Sequence, residues 1–91
     1  MDNRIIAINI GFKGVIFLSR EPKVIQDIID TKVNDPKIAW TANRPNAVKV
    51  RKIDSLHDKL SLKYGDEVVE GTITWRMSVD RKHFVFSKFE M

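Results

Sequence analysis

Residues 72–86 read TITWRMSVDRKHFVF, and aromatic and basic side chains interleave along them. Such a stretch can be a surface that grips nucleic acid or a hairpin that buries its rings. Parity decides, because side chains on a strand change face at every residue. Ile73, Trp75, Met77 and Val79 share one face, and Thr72, Thr74, Arg76 and Ser78 share the other. This is the pattern of an antiparallel strand with one face on a core and one towards water. Pairing Val79 with Phe84 sets Met77 across from Phe86 and Trp75 across from Lys88, so the large apolar groups meet. The rings of Trp75, Phe84 and Phe86 are therefore expected inside, since large apolar residues are so often buried. Arg76 and Phe89 are left on the polar side, and Arg81, Lys82 and His83 at the hairpin tip.

The remaining periodicities extend this sheet. In residues 4–13, RIIAINIGFK, Ile6, Ile8, Ile10 and Phe12 alternate, while Ile5 and Ala7 make the second face apolar as well. The reading is a strand covered on both faces. Gly11 to Gly14 permits a turn, and VIFL at 15–18 reads as a second buried strand closing an N-terminal hairpin. Ser19 then supplies an N-cap oxygen to a helix over about 20–33, whose apolar stripe is Val24, Ile25, Ile28, Ile29 and Val33. Pro36 is expected to end it within Asn34-Asp35-Pro36. Residues 37–53, KIAWTANRPNAVKVRKI, suggest a second hairpin turning at Asn43-Arg44-Pro45-Asn46. Over 54–64 the four-residue spacing of Leu56, Leu60 and Tyr64, with a cap at Asp54 or Ser55, favours a short helix stopped by Gly65. Leu60, Leu62 and Tyr64 also alternate as a strand would.

The expected fold is thus one α+β domain over residues 1–91. Its mainly antiparallel sheet has about four to six strands, packed by one long helix and the short helix at 54–64. Ninety-one residues suffice for a single core. There is no cysteine, which rules out disulfides, thiolate metal sites and a cysteine nucleophile, and is compatible with a reducing cytoplasm. The longest apolar runs, Ile5–Ile8 and Val15–Leu18, are far short of the ~18–20 residues that span a bilayer. No signal-peptide pattern opens the chain, and a soluble cytoplasmic protein without membrane contact is expected.

Charge is unevenly spread. Asn43 to Lys63 carries six Lys/Arg against Asp54 and Asp58, whereas Tyr64 to Gly71 carries three acids and no base. Arg44, Lys49, Arg51 and Lys52 follow a turn and one strand, with Lys49 and Arg51 on the face away from Val48 and Val50. A strip of this kind concentrates phosphate-bearing partners and supplies most non-specific nucleic-acid affinity. Lysine on a solvated edge strand, where it discourages strand pairing with other chains, gives the same pattern.

Catalytic chemistry has weaker support. His57, His83, Arg76 and Lys82 are the residue types of a metal-independent ribonuclease, but their spacing is unremarkable. Asp27 with Asp30, and Asp54 with Asp58, read as ordinary surface carboxylates. Glycine-rich phosphate loops are absent from the sequence, and neither a metal nor another cofactor is expected. The sequence favours a small non-enzymatic protein that contacts nucleic acid or a nucleoprotein through Arg44, Lys49, Arg51, Lys52, Arg76, Arg81 and Lys82. The alternative is an adaptor or inhibitor that docks on a protein through an exposed strand edge, with Trp40 and Phe89 as aromatic anchors.

Overall fold

The computed structural model describes residues 3–33 and 45–91. Among the described residues the elements run α1 (Asn3–Phe12), β1 (Ile16–Phe17), α2 (Pro22–Val33), β2 (Ala47–Asp54), β3 (His57–Tyr64), β4 (Glu67–Met77) and β5 (Phe84–Glu90). The five strands form one antiparallel sheet in the order β1-β5-β4-β3-β2, curled into a half-barrel. The α+β class and the antiparallel sheet stand. Two helices, of ten and twelve residues, take the place of one long helix.

The first correction is at the N-terminus, where the expected strand over residues 4–13 is replaced by α1 (Asn3–Phe12). Almost every position from Ile5 to Ile10 is apolar, so alternation and helical periodicity both fit the sequence. The fold buries Ile5, Ala7, Ile8 and Phe12, which lie on one side of a helix, and leaves Ile6 and Ile10 at 37% and 65% exposure. Gly14, at φ +79°, ends the helix in the left-handed conformation that glycine adopts without Cβ strain. Its N–H donates to the Phe86 carbonyl at 3.0 Å, and Val15 O accepts from Phe86 N at 3.0 Å, so the turn feeds β1 onto β5. Asn9 ties the same helix to the sheet: its amide nitrogen donates to the Phe89 carbonyl at 2.8 Å and its Oδ1 accepts from Phe89 N–H. The N-terminal hairpin is thereby replaced by a helix, a turn and a two-residue strand.

The second helix buries the middle of its expected stripe. Ile25 and Ile29 are each 2% exposed, with Ile28 packed partly against the same core. Pro22 occupies its first position, where a missing N–H costs nothing. Ser19 Oγ accepts from Glu21 N–H at 3.1 Å, so the hydroxyl orders the approach to the helix two residues before the capping position, which Glu21 holds.

Residues 57–64 are a strand, not a helix. Asp58, Leu60 and Leu62 are buried alternately, and β3 pairs with β2 on one side and β4 on the other. Asp54 Oδ1 accepts from Leu56 N–H at 2.9 Å, making a turn out of the Asx chemistry that also caps helices. The first arm of the hairpin expected over 37–53, its turn as far as Arg44, and the Asn34-Asp35-Pro36 stop lie outside the described residues. Its second arm is β2, which pairs with β3 from Ala47↔Lys63 to Asp54↔His57.

The opening hairpin exists with a different register. Met77 faces Phe84 and Trp75 faces Phe86, two residues away from the expected pairing, so these four side chains still share one face. Val79 falls in the turn and is fully exposed. Between Trp75↔Phe86 and Thr74↔Lys88, Ser87 is an extra residue on β5. This β-bulge switches the parity of everything after it. Phe89, expected on the solvent side, is therefore turned inward and is 1% exposed. Its ring lies over Gly71, where an added Cβ would come within 2.6 Å of the ring and of the Glu90 carbonyl. Gly71→Ala is expected to destabilise by about 1–3 kcal/mol, because a backbone oxygen cannot yield as a flexible side chain does. Urea titration checks this, and an unchanged midpoint would show that the β4–β5 bulge accommodates a methyl.

Candidate basic face

The outer face of the sheet is built by parity from three strands. Val48 and Val50 pack towards the core, which turns Lys49 and Arg51 outward on β2. Leu60 and Leu62 are buried on β3, which turns Lys59, Ser61 and Lys63 outward. Register then sets the neighbours: Lys49 faces Ser61, Arg51 faces Lys59, Ala47 faces Lys63, and Ser61 faces Glu70 of β4. Lys49, Arg51, Lys59, Ser61 and Glu70 line one open depression. Lys59 Nζ lies 3.3 Å from Glu70 Oε2, with both side chains substantially exposed. Neither Lys49 nor Arg51 forms an ion pair with a described residue.

The other expected site residues do not all join this depression. Lys52 pairs with Asp58 and so shares the parity of the core face, opposite to Lys49 and Arg51. Arg76 is exposed on β4 across from Val85, beyond the end of β3. Arg81, at φ +58°, and Lys82 occupy the β4–β5 turn. Trp40 and Arg44 lie outside the described residues. Lys59 and Ser61, which complete the depression, went unselected in the sequence. The alternation of Lys59, Ser61 and Lys63 with Leu60, Leu62 and Tyr64 carried the signal, but only under the strand reading.

Each histidine is held by the turn of its own hairpin. His57 Nδ1 is 2.7 Å from Asp54 Oδ1, and His83 Nδ1 is 3.4 Å from Asp80 Oδ2. The Asp54 carboxyl is held below its ordinary range by the Leu56 N–H first and the His57 side chain second. Asp80 is lowered in the same direction, chiefly by the Ser78 hydroxyl and then by the Lys82 N–H. These carboxylates thus organise turns, and each hydrogen bond to the charged form favours ionisation. Among the described residues no group of three or more histidines and carboxylates could hold a metal ion.

Asp58 is not the surface carboxylate expected from its spacing to Asp54. It is 1% exposed and accepts from Arg20 Nε at 2.7 Å, from Arg20 Nη2, and from Trp75 Nε1 at 2.9 Å. Arg20 also donates to the carbonyls of Ser55 at 2.6 Å and Asp54 at 3.1 Å, and its guanidinium carbon stands 5.1 Å from the centre of the Phe84 ring. This network fastens the chain ahead of α2 to the β2–β3 turn and to β4. Its partners are all spoken for, which makes it a positioning device beneath the basic face rather than a ligand site.

Among the described residues no helix is long and apolar enough to cross a membrane. The chain matches no protein-family model, no curated protein and no solved structure.

Proposed function

We propose that this chain is a small non-enzymatic protein that binds nucleic acid, free or within a nucleoprotein, through the outer face of β2 and β3. The observation that carries this reading is the convergence of Lys49, Arg51 and Lys59 on one open depression whose lining includes a single carboxylate, Glu70. Cations so placed attract phosphates and release counterions when they bind. The side chains of Lys49 and Arg51 project away from the core, so their charge is available at little cost to folding.

Replacing Lys49, Arg51 and Lys59 together by Gln is expected to weaken nucleic-acid binding while leaving the unfolding midpoint nearly unchanged. Each phosphate that the variant fails to neutralise should reduce the slope of log K against log salt by roughly 0.7–0.9. Arg81→Gln with Lys82→Gln is the internal comparison. Loss confined to the first variant supports a defined face, equal loss in both supports a diffuse field, and unchanged affinity and slope in the first variant removes the reading.

The second reading, docking on a protein partner as an adaptor or inhibitor, draws on β2 as the last strand in the sheet order among the described residues. Strand addition to an edge relies on main-chain hydrogen bonds and so persists at high salt. Phe89 does not support it as an anchor, being part of the core. A ribonuclease has least support, because His57 and His83 are each engaged by a different turn.

A further inference from the structure

We infer that the ligand of this face is the phosphate backbone of a nucleic-acid duplex, held without base readout; this rests on the nucleic-acid reading above. Proteins that hold single strands stack successive bases on exposed aromatic rings. The outer face offers no such ring among the described residues. Phe12, Phe17, Trp75, Phe86 and Phe89 are buried, and Tyr64 and Phe84 pack partly against the same core. What the face presents instead is charge in two dimensions. Lys49 and Arg51 are separated by one two-residue strand repeat, about 6.4–6.8 Å, and Arg51 lies directly opposite Lys59 across the ladder. Lys63 extends the β3 row at the far end, opposite Ala47.

The two rows stand one strand spacing apart, about 4.7–4.9 Å. A duplex, with one negative charge per ~1.7 Å of axis, offers so compact a patch a denser line of phosphates than a single strand does. Glu70 bounds the patch on the β4 side, where it neutralises Lys59 and repels phosphate. The side chains that define the depression are two lysines, an arginine, a serine and a glutamate on neighbouring strands of the sheet. Contacts of this kind fix a protein on a backbone and carry no sequence information directly.

Fluorescence anisotropy with two labelled duplex DNAs of equal length and unrelated sequence, and with their component single strands, tests the inference across a salt series. The two duplexes are expected to bind within about twofold of each other and more tightly than any single strand. Neutralising three or four phosphates gives a slope of about −2.7 to −3.6. Glu70→Gln, which removes the carboxylate and releases Lys59, is expected to tighten duplex binding about two- to fivefold, the scale of an exposed ion pair. Single strands that bind as tightly as duplexes, a strong preference between the two duplexes, or indifference to Glu70→Gln would overturn the inference while leaving nucleic-acid binding in place. Failure of every probe to bind at low salt would remove both.

Discussion

Trp75→Ala is expected to lower stability by about 3–5 kcal/mol, the range of large aromatic truncations in a core. Trp75 is 2% exposed and sits where four parts of the chain meet. Its ring is edge-on to Phe17 at 4.9 Å, Phe86 at 6.0 Å and Phe84 at 6.2 Å. Its indole N–H also satisfies Asp58. Truncation therefore opens a cavity and strips a buried carboxylate of one donor, so the upper half of the range is expected. Trp75→Phe separates the two effects, since it keeps most of the ring packing and loses the hydrogen bond. Denaturant titration reads both. A change within about half a kcal/mol for Trp75→Ala, the scale of an ordinary surface substitution, is incompatible with this core.

Asp58→Ala is expected to cost about 3–5 kcal/mol, as does breaking a buried ion pair from one side. The penalty arises less from lost attraction than from what remains: the Arg20 guanidinium, its side chain 12% exposed, left without its counter-charge. Arg20→Ala should be damaging in turn, because Trp75 is then the one side-chain donor left to the buried Asp58 among the described residues. A double-mutant cycle between the two positions should show coupling of about 0.5–3 kcal/mol. Strict additivity would mean that the two side chains act independently and that the carbonyls of Ser55 and Asp54 hold Arg20 unaided.

These two residues mark where the sequence was legible and where it was not. The burial of Trp75 followed from strict alternation over Thr72–Met77, a signal that needs no partner to interpret. Phe89 obeyed the same alternation until Ser87 added a residue to β5, and no local feature of Phe86-Ser87-Lys88 announces a bulge. Residues 4–13 were ambiguous because an apolar run satisfies two periods at once. Tertiary packing resolved it, through Phe12 against Phe17 and Phe86 and through Asn9 against the backbone of Phe89. For 57–64, the spacing of Leu56, Leu60 and Tyr64 imitated a helix, and an Asx turn at Asp54 imitated its cap. That misreading hid Lys59 and Ser61 from the candidate face, and hid Asp58 from the core. The Arg20–Asp58 pair is separated by 38 residues. Nothing near either residue in sequence specifies the other, so only the folded chain reveals the pair.

The basic face itself was partly legible. The charge surplus of Asn43–Lys63 spans what folds as β2 and β3, and parity separated Lys49 and Arg51 from Val48 and Val50. The surplus is blind to facing, and the register with Asp58 sets Lys52 at the opposite parity from Lys49 and Arg51.

The most direct test of the proposed function is an amide chemical-shift titration of the intact chain with a short duplex DNA at low salt. Perturbations should concentrate at Lys49, Arg51, Lys59 and Ser61, with smaller shifts at Lys63 and Glu70, and should fade as salt is raised. Shifts confined to the Arg81–Lys82 turn or to β1, or a spectrum unchanged at saturating duplex, would contradict the assignment of the β2–β3 outer face as the binding surface.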